Sequence, residues 1–426
     1  MQYADALHII RETALKQIAE TETVLVEKAY ARVCAENVVS EIQLPPFTNS
    51  AVDGFAIAHG FSRTATTSAP IKFKISGPLF PGEVPKASTP AGVAWEVTTG
   101  APVPLDCDAC AKVEDTLVDG RSVYIQLPLQ KNENLRFAGS DFTHGTRVIS
   151  RGEKIRSEHL MALASVGRAT VEVFKKPKIL LLSTGKELIE PGAPLKDGEI
   201  YNSTRVFLKT SLENLGADVE IGPTMSDEPA VFTSFMRQML RNPPDLLITT
   251  GAVSMGSADF VRPALEELGA QIIFHRVNVR PGKPLLFAKF EKSATCAREF
   301  VAFGLPGNPV SGVVGTRFFI ETFLRTRQQQ EIEKPFRAKL AAPFSKPNDL
   351  RCFFKAQLVI DDGEARVHLM KGQPSHMVRP LLQSSVWAVL REGVASFAKD
   401  DLVDVFIQES LPYDFSASQG AQGDFV

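Results

Sequence analysis

The sequence predicts a multidomain fold in which a central α/β domain is flanked by β-rich regions. A chain of 426 residues is too long for one ordinary hydrophobic core. Residues 176–328 alternate short apolar runs with segments of helical period, a pattern typical of a sheet covered by helices on both faces. Residues 43–138 and 329–415 instead contain short strand-like runs between Pro and Gly turns. We therefore expect a three-layer α/β/α domain at the centre of the chain.

The central domain begins with the fully apolar run KILLLST (178–184). Further strands are predicted over 218–224, 245–251, 271–279, 284–290 and 299–307, and helices over 203–217, 227–242, 258–269 and 310–326. Strands that are joined by helices run parallel, and ligands of such sheets bind beyond the carboxyl ends of the strands. The loops that follow the strands are therefore the first place to look for chemistry.

The flanking segments differ from the centre in their periodicity. Residues 1–42 and 139–175 contain helical spacing, over 3–20 and 151–167, and are predicted to form a helical linking domain. Residues 43–138 form a predicted β-rich domain, with strands over 70–77, 92–97 and 122–128. Five short runs between residues 336 and 409 predict a small barrel-like domain, and the tail 416–426 is predicted to be disordered.

The charge balance excludes some partners. The 47 basic and 49 acidic side chains give a net charge of −2, so no overall field attracts nucleic acid or an acidic membrane surface. The apolar runs are too short to span a bilayer, and the first 20 residues lack the features of a signal peptide, so we expect a cytoplasmic protein. Cys107 and Cys110 form an isolated CxxC, which we interpret as two small loop residues rather than a metal or redox site.

Three acidic residues follow predicted strands of the central domain. Glu187, Asp227 and Asp259 each come a few residues after an apolar run. Carboxylates at the strand ends can bind Mg²⁺ or hold hydroxyl and amino groups of a substrate. Helix capping explains any one of them equally well. Three acids at one edge of the sheet favour a functional site.

Two glycine-rich segments predict an anion site beside these acids. In TTGAVSMGSADF (249–260), small residues expose backbone N–H groups, and Thr250, Gly251 and Ser254 are candidate ligands. RVNVRPGKP (276–284) contributes three cations that suit an oxyanion: Arg276, Arg280 and Lys283. We expect Arg276 and Arg280 to share one face of a strand. A solvated strand edge is the alternative. GLPGNPVSG (304–312) adds a loop restrained by proline: Pro306, Asn308 and Pro309.

Nine segments, in order, resemble one family. They are PPFTNSAVDGFAI (45–57), TTGAPVP (98–104), RFAGSD (136–141), LLSTGKELIEPG (181–192), GEIYNSTRVFL (198–208), TTGAVSMGSADF, RPGKP, GLPGNPVSG and QPSH (373–376). Each segment alone is a modest signal, but their common order is specific. Together they resemble the MoeA-type molybdopterin molybdenumtransferases, which include the gephyrin E domain. The resemblance implies that the central α/β domain binds molybdopterin.

The family resemblance implies a reaction and an assembly. The substrates are adenylylated molybdopterin and molybdate, and Mg²⁺-dependent hydrolysis of the adenylate yields AMP and molybdenum cofactor. The enzyme is expected to be a homodimer, with each site between the α/β domain of one subunit and the β-rich domain of the other. Other proteins of cofactor synthesis or acceptance are further candidate partners.

The resemblance also assigns residues to roles. Asp53, Thr99 and Asp141 fall on the β-rich side of the cleft. Glu187, Asp227 and Asp259 fall on the α/β side and are expected to bind the metal; Asp53, Asp141, Glu187 and Asp259 are the expected catalytic acids. Arg351 and Ser375 match positions that line the pterin and molybdate region, as do the two prolines named above.

Some positions depart from the family pattern. Lys186 stands where an acid is usual, Thr204 where an Asn is usual, and Ala252 where a second glycine is usual. A cation beside Glu187 opposes Mg²⁺ binding. Two alternatives therefore stay open: a non-catalytic molybdopterin-binding or scaffold protein, and a molybdopterin adenylyltransferase.

Overall fold

The computed structural model describes residues 1–84, 88–253, 260–346, 349–361 and 363–408. The predicted disordered tail, 416–426, lies outside these ranges. None of the helices in the described part is long and apolar enough to cross a membrane.

The first part of the chain is mostly β-structure. Its elements are α1 (Tyr3–Leu15), β1 (Thr21–Leu25), β2 (Val38–Val39), β3 (Asn49–Ser50), β4 (Gly54–Ile57), β5 (Ile71–Leu79), β6 (Val93–Val97), β7 (Ala109–Lys112), β8 (Thr116–Asp119), β9 (Ser122–Ile125) and β10 (Leu135–Arg136). A six-stranded sheet in the order β7-β4-β6-β5-β9-β8 forms the β-rich domain. Alternating residues of these strands, such as Phe55, Phe73 and Val123, are buried together on one face.

The linking region is less helical than its sequence predicts. Its second half contains β11 (Arg147–Ile149), α2 (Ser157–Ser165) and β12 (Thr170–Phe174). β12 pairs with β1 and β11 pairs with β2, both antiparallel, so this region is held by strand pairing between distant segments. Helix α1 leaves the region and packs on the central domain, where Ala6, Ile10 and Ala14 are fully buried.

The central domain follows the predicted alternation of strands and helices. Its elements are β13 (Lys178–Thr184), β14 (Leu188–Ile189), β15 (Ile200–Tyr201), α3 (Ser203–Asn214), β16 (Asp218–Met225), α4 (Pro229–Met239), β17 (Leu246–Thr250), α5 (Val261–Glu267), β18 (Gln271–His275), β19 (Val279–Arg280), β20 (Leu286–Phe290), β21 (Phe300–Leu305), α6 (Pro309–Gly315) and α7 (Glu321–Arg327). A π-helical turn, Thr316–Ile320, joins α6 to α7.

The central sheet is mixed rather than wholly parallel. The order is β16-β13-β17-β21-β20-β18, in which the first four strands are parallel and β20 and β18 are antiparallel to their neighbours. A parallel connection needs a crossover, usually a helix, and no helix separates β20 from β18 or β21. The parallel part of the sheet, whose carboxyl ends share one edge, is therefore formed by β16, β13, β17 and β21.

The predicted strand 271–279 is interrupted. β18 ends at His275, and Arg276 takes a positive φ of 95°, which stops a strand. After this break β19 leaves the central sheet and pairs in parallel with the C-terminal domain, Val279 opposite Arg351 and Arg280 opposite Cys352.

The C-terminal domain is a closed barrel, as its sequence predicts. Its elements are β22 (Phe336–Leu340), β23 (Phe344–Ser345), β24 (Arg351–Asp361), β25 (Glu364–Leu369), α8 (Arg379–Gln383), β26 (Val386–Leu390), β27 (Ser396–Phe397) and β28 (Leu402–Ile407). The order β24-β25-β22-β28-β26 closes because β26 pairs back with β24. One hydrophobic core joins this barrel to the central domain, since Phe353 and Trp387 are buried together with Phe318 and Phe323.

Candidate active site

Two of the predicted acids lie at one edge of the central sheet. β13 and β16 are neighbours, with Thr184 opposite Met225, so the residues that follow them meet. The backbone N–H of Lys186 lies 3.5 Å from Oδ2 of Asp227. Gly185 has a φ of 142°, and a Cβ there would stand 2.7 Å from both carboxylate oxygens of Glu187. Glycine thus lets the Glu187 carboxylate fold close to the end of β13.

The third acid, Asp259, lies outside the described residues, as does Ser254. Within the described ranges, no group of three or more His, Cys, Asp or Glu side chains converges as a metal site. Glu187 and Asp227 offer carboxylate oxygens, the ligand type that Mg²⁺ takes. The donor chemistry of this rim therefore suits a hard divalent cation.

A cavity of about 570 Å³ lies between the central domain and the barrel. Its described wall consists of Ala252, Val253, Val279, Arg280, Pro281, Gly282, Lys283, Pro284, Pro306, Gly307, Asn308, Ser311, Leu350, Gln373, Pro374, Ser375 and His376. This wall includes Arg280 and Lys283 but no Asp or Glu among the described residues. Its charge therefore favours an anion.

The two cations of the cavity are held by backbone structure. Arg280 is the last residue of β19, and its pairing with Cys352 fixes its place against the barrel. The Arg280–Pro281 peptide bond is cis, and Lys283 follows Gly282 in the turn that leads to β20. Both side chains are exposed, and neither forms an ion pair with another described residue.

The prediction that Arg276 and Arg280 share one strand face is wrong. The backbone turns at Arg276, and Asn278 donates its N–H to the carbonyl of Met1 at 2.8 Å instead of continuing β18. Arg276 is not part of the described cavity wall, so the cation pair at this site is Arg280 with Lys283.

The glycine-rich loop after β17 is anchored before it reaches the cavity. Gly251 donates its N–H to the Leu305 carbonyl at 3.0 Å, and its φ of 88° suits glycine. A Cβ at Gly251 would lie 2.5 Å from the carbonyl oxygen of Thr184. Thr250 is 3% exposed and its hydroxyl donates to Ser183 Oγ at 3.3 Å. The hydroxyl of Thr250, a candidate ligand from the sequence, is thus buried and bonded within the sheet rather than exposed to the cavity.

The residues of the proline-restrained loop (304–312) differ in their positions relative to the cavity. Pro306 and Asn308 line the cavity, whereas Pro309 is the first residue of α6, where its missing N–H costs nothing. Ser375 lines the cavity from the barrel side and accepts a hydrogen bond on its carbonyl from Val310 N–H at 2.9 Å. This bond ties the barrel loop to the start of α6.

Arg351 lies next to the cavity but is engaged elsewhere. Its Nε donates to Glu392 at 2.6 Å, and its guanidinium lies 4.7 Å from the ring centroid of Tyr3. Burial raises the pKa of Glu392, but the hydrogen bond and charge of Arg351 outweigh that effect and lower the pKa below its usual value. Leu350, rather than Arg351, belongs to the described wall.

The β-rich domain presents its own preformed acidic loop. Asp53 accepts hydrogen bonds from the Thr99 N–H at 2.6 Å and the Thr99 hydroxyl at 3.0 Å, and these bonds lower the pKa of Asp53. Asp141 is exposed, and its N–H donates to the Leu44 carbonyl at 2.9 Å. Neither acid is part of the described cavity wall.

Sequence reasoning missed a buried lysine behind the cavity, Lys355. The run RCFFKAQLVI contains a lysine among apolar residues, which was the available signal. Two histidines lie near the site: His275 Nε2 is 2.7 Å from the carbonyl oxygen of the wall residue Val253, and His376 lines the cavity. Cys107 and Cys110 are free and buried, and burial raises each pKa to about 11, so a redox role is not supported.

Three family descriptions match the chain. Residues 1–167 match the MoeA N-terminal region (domain I and II), residues 180–326 a probable molybdopterin binding domain, and residues 337–407 the MoeA C-terminal region (domain IV). These ranges contain both the cavity and the acidic rim.

Relatives of similar length are known. The chain is 33% identical to the molybdopterin molybdenumtransferase of Synechococcus elongatus, over 95% of this chain and 99% of that protein. It is 31% identical to the protein of the same name from Haemophilus influenzae, over 93% and 96%. A crystal structure of a molybdopterin biosynthesis moeA protein from Pyrococcus horikoshii has a TM-score of 0.78 at 26% identity and covers 96% of this chain and 98% of that one. The predicted fold class is confirmed, and the chain belongs to the MoeA family of molybdopterin molybdenumtransferases.

Proposed function

We propose that this chain catalyses the insertion of molybdate into adenylylated molybdopterin during molybdenum cofactor biosynthesis. Hydrolysis of the adenylate with Mg²⁺ releases AMP and molybdenum cofactor. The most direct support is that positively charged and negatively charged groups lie at one edge of the sheet. A cationic cavity without described acids lies beside a rim with Glu187 and Asp227.

The cavity is the proposed site of molybdate. A doubly charged tetrahedral oxyanion needs several donors and no nearby carboxylate. Arg280 and Lys283 supply charge-assisted hydrogen bonds, and Asn308 and Ser375 add neutral polar groups. The apolar part of the wall, with Pro306, limits the water that competes for these donors.

The acidic rim is the proposed site of Mg²⁺, with Glu187, Asp227 and Asp259 as its ligands. When bound, the cation supplies Lewis-acid polarisation of the phosphoanhydride and neutralises negative charge. The protein holds two of these carboxylates on loops that follow neighbouring parallel strands, so the strands set their separation.

The β-rich domain of a second subunit completes the site in this proposal. Asp53 is held ionised by two hydrogen bonds from Thr99, which suits a group that orients water or a substrate hydroxyl. Because residues 43–141 contribute nothing to the described cavity wall, a homodimer is the simplest way to bring Asp53 and Asp141 there.

The test is AMP release from adenylylated molybdopterin by the purified chain. We expect release that depends on both Mg²⁺ and molybdate. Tight binding of the substrate without AMP release would leave a scaffold role instead. Consumption of ATP with free molybdopterin would indicate an adenylyltransferase, a reading disfavoured by the family matches on both sides of the central domain.

A further inference from the structure

Lys355 is a buried lysine in the middle of strand β24. It is 1% exposed and is one of the largest fully buried side chains of the described chain. β24 is paired on both sides, and Lys355 stands opposite Trp387 of β26. A buried ammonium group is costly unless its donors are used, so its partners indicate why it is there.

The hydrogen-bond partners of the Lys355 ammonium group all belong to one loop, residues 372–377. Its Nζ donates to the carbonyls of Gly372 at 2.7 Å, Met377 at 3.0 Å and Pro374 at 3.4 Å. The main chain of Lys355 adds two bonds to the side chain of Gln373, one accepted by Oε1 at 3.0 Å and one donated by Nε2 at 2.9 Å. No carboxylate among the described residues forms an ion pair with it. The ammonium group of Lys355 therefore holds the main chain of this loop and does not neutralise another charged side chain.

The same loop forms the barrel side of the cavity. Residues 373–376 are part of the described wall, and the Ser375 carbonyl is bonded to Val310 at the start of α6. The loop is thus held from two directions, by the ammonium group on one side and by the central domain on the other. Gly372 has a φ of 80°, and a Cβ there would stand 2.9 Å from Pro380 Cγ, so the loop has little room to shift.

We propose that Lys355 is a positioning residue for the molybdate cavity: its ammonium group holds the main chain of residues 372–377, and residues 373–376 thereby form the cavity wall. This inference rests on the proposed function of the cavity. Lys355 does not line the cavity itself, so its effect on the oxyanion passes through the loop. Burial lowers the pKa of Lys355 to about 8, so the group remains mostly protonated at neutral pH and keeps its three donors.

Lys355→Met in the full chain tests the proposal, because methionine keeps the length and removes the donors. We expect faster amide hydrogen exchange in residues 370–377 of the ligand-free protein. We also expect a rise of about tenfold in the KM for molybdate, with kcat reduced less than about threefold. Lys339→Met is the matched control, since Lys339 lies on the same barrel but pairs with Glu364 at the surface; it should change neither value.

Two results would overturn the proposal: unchanged exchange in Lys355→Met, or faster exchange with an unchanged KM for molybdate. If that variant does not fold, Gly372→Ala decides, because it displaces the same loop while leaving Lys355 in place; an unchanged KM there would also refute the idea. Exchange is measured without substrate. If the wild-type chain released no AMP, the proposed function would fall, whereas the exchange result would still decide whether Lys355 holds the loop.

Discussion

The two halves of the proposed site are built differently. The half from the central domain and the barrel contains a cavity whose loops are bonded across a domain boundary, as by Arg280 opposite Cys352 and Val310 with Ser375. The half from the β-rich domain, around Asp53 and Thr99, is held by bonds within that domain alone. Each half is held by its own hydrogen bonds, so in the proposed dimer the site is assembled when the two halves approach each other. In a symmetric dimer this approach couples activity to association.

The largest expected effect tests whether the halves come from two subunits. Asp53→Asn and Asp227→Asn should each reduce AMP release by about 100-fold or more, because each removes a charge at the reacting centre. Mixing the two inactive dimers and allowing subunits to exchange should restore about a quarter of wild-type activity, since half of the dimers then contain one intact site.

The control for that experiment is Asp218→Asn, at the opposite end of β16 from Asp227, which should stay active. Failure of the mixture to regain activity, with subunit exchange shown directly, would mean that Asp53 and Asp227 act in the same chain. The comparison between the halves would then describe two parts of one subunit.

The second prediction separates anion binding from chemistry. Arg280→Gln should raise the KM for molybdate about 10- to 100-fold, because one charge-assisted hydrogen bond contributes ~1.5–3 kcal/mol. Arg276→Gln serves as the matched change, since Arg276 does not line the described cavity, and should alter this KM less than about threefold. Equal increases in the KM for molybdate would contradict the inference, drawn from the break after β18, that Arg280 lines the cavity and Arg276 does not.

A smaller effect is expected at Lys186. Lys186 is exposed, it precedes Glu187 in the chain, and its backbone N–H lies 3.5 Å from Oδ2 of Asp227, so its positive charge opposes cation binding at this rim. Lys186→Ala should lower the Mg²⁺ concentration for half-maximal AMP release about threefold at low salt, with a smaller change at high salt. Lys196→Ala, which changes an exposed lysine between β14 and β15, should leave the Mg²⁺ requirement unchanged. If the change in Mg²⁺ requirement caused by Lys186→Ala did not depend on salt concentration, an electrostatic origin would be contradicted.

The smallest expected effect concerns stability rather than turnover. Glu392→Gln should lower the free energy of unfolding at pH 7 by about 1 kcal/mol, because the ion pair with Arg351 is partly buried. The pKa of Glu392 is lowered in the folded state, so its stabilising contribution is complete above the usual carboxyl pKa of ~4.3 and is lost as the pH falls through the lowered value.

Urea unfolding followed by the fluorescence of Trp387, in a Trp95→Phe background, measures this difference at pH 7 and again near the lower limit of folding. The gap between wild type and variant should close as the pH falls. A gap that persists at low pH would show that the variant acts through packing instead of charge.

Local patterns were enough to predict that Glu187 and Asp227 lie at the same edge of the central sheet. Apolar runs followed by Glu187 and Asp227 place both acids after strand ends because parallel strands share one direction, and in the structure both follow neighbouring strands. The nine ordered segments were sufficient to identify the family. These features depend on short stretches of chain, so a sequence reports them directly.

Tertiary structure alone decided the wall of the cavity. Arg280 and not Arg276 lines it because β19 leaves the central sheet to pair with the barrel, more than 70 residues away in sequence. Thr250 turns its hydroxyl inward because β17 is buried between β13 and β21. Lys355 meets the loop at residues 372–377 only when β24 and β25 pair. Each outcome depends on non-local strand pairing, which no local pattern encodes.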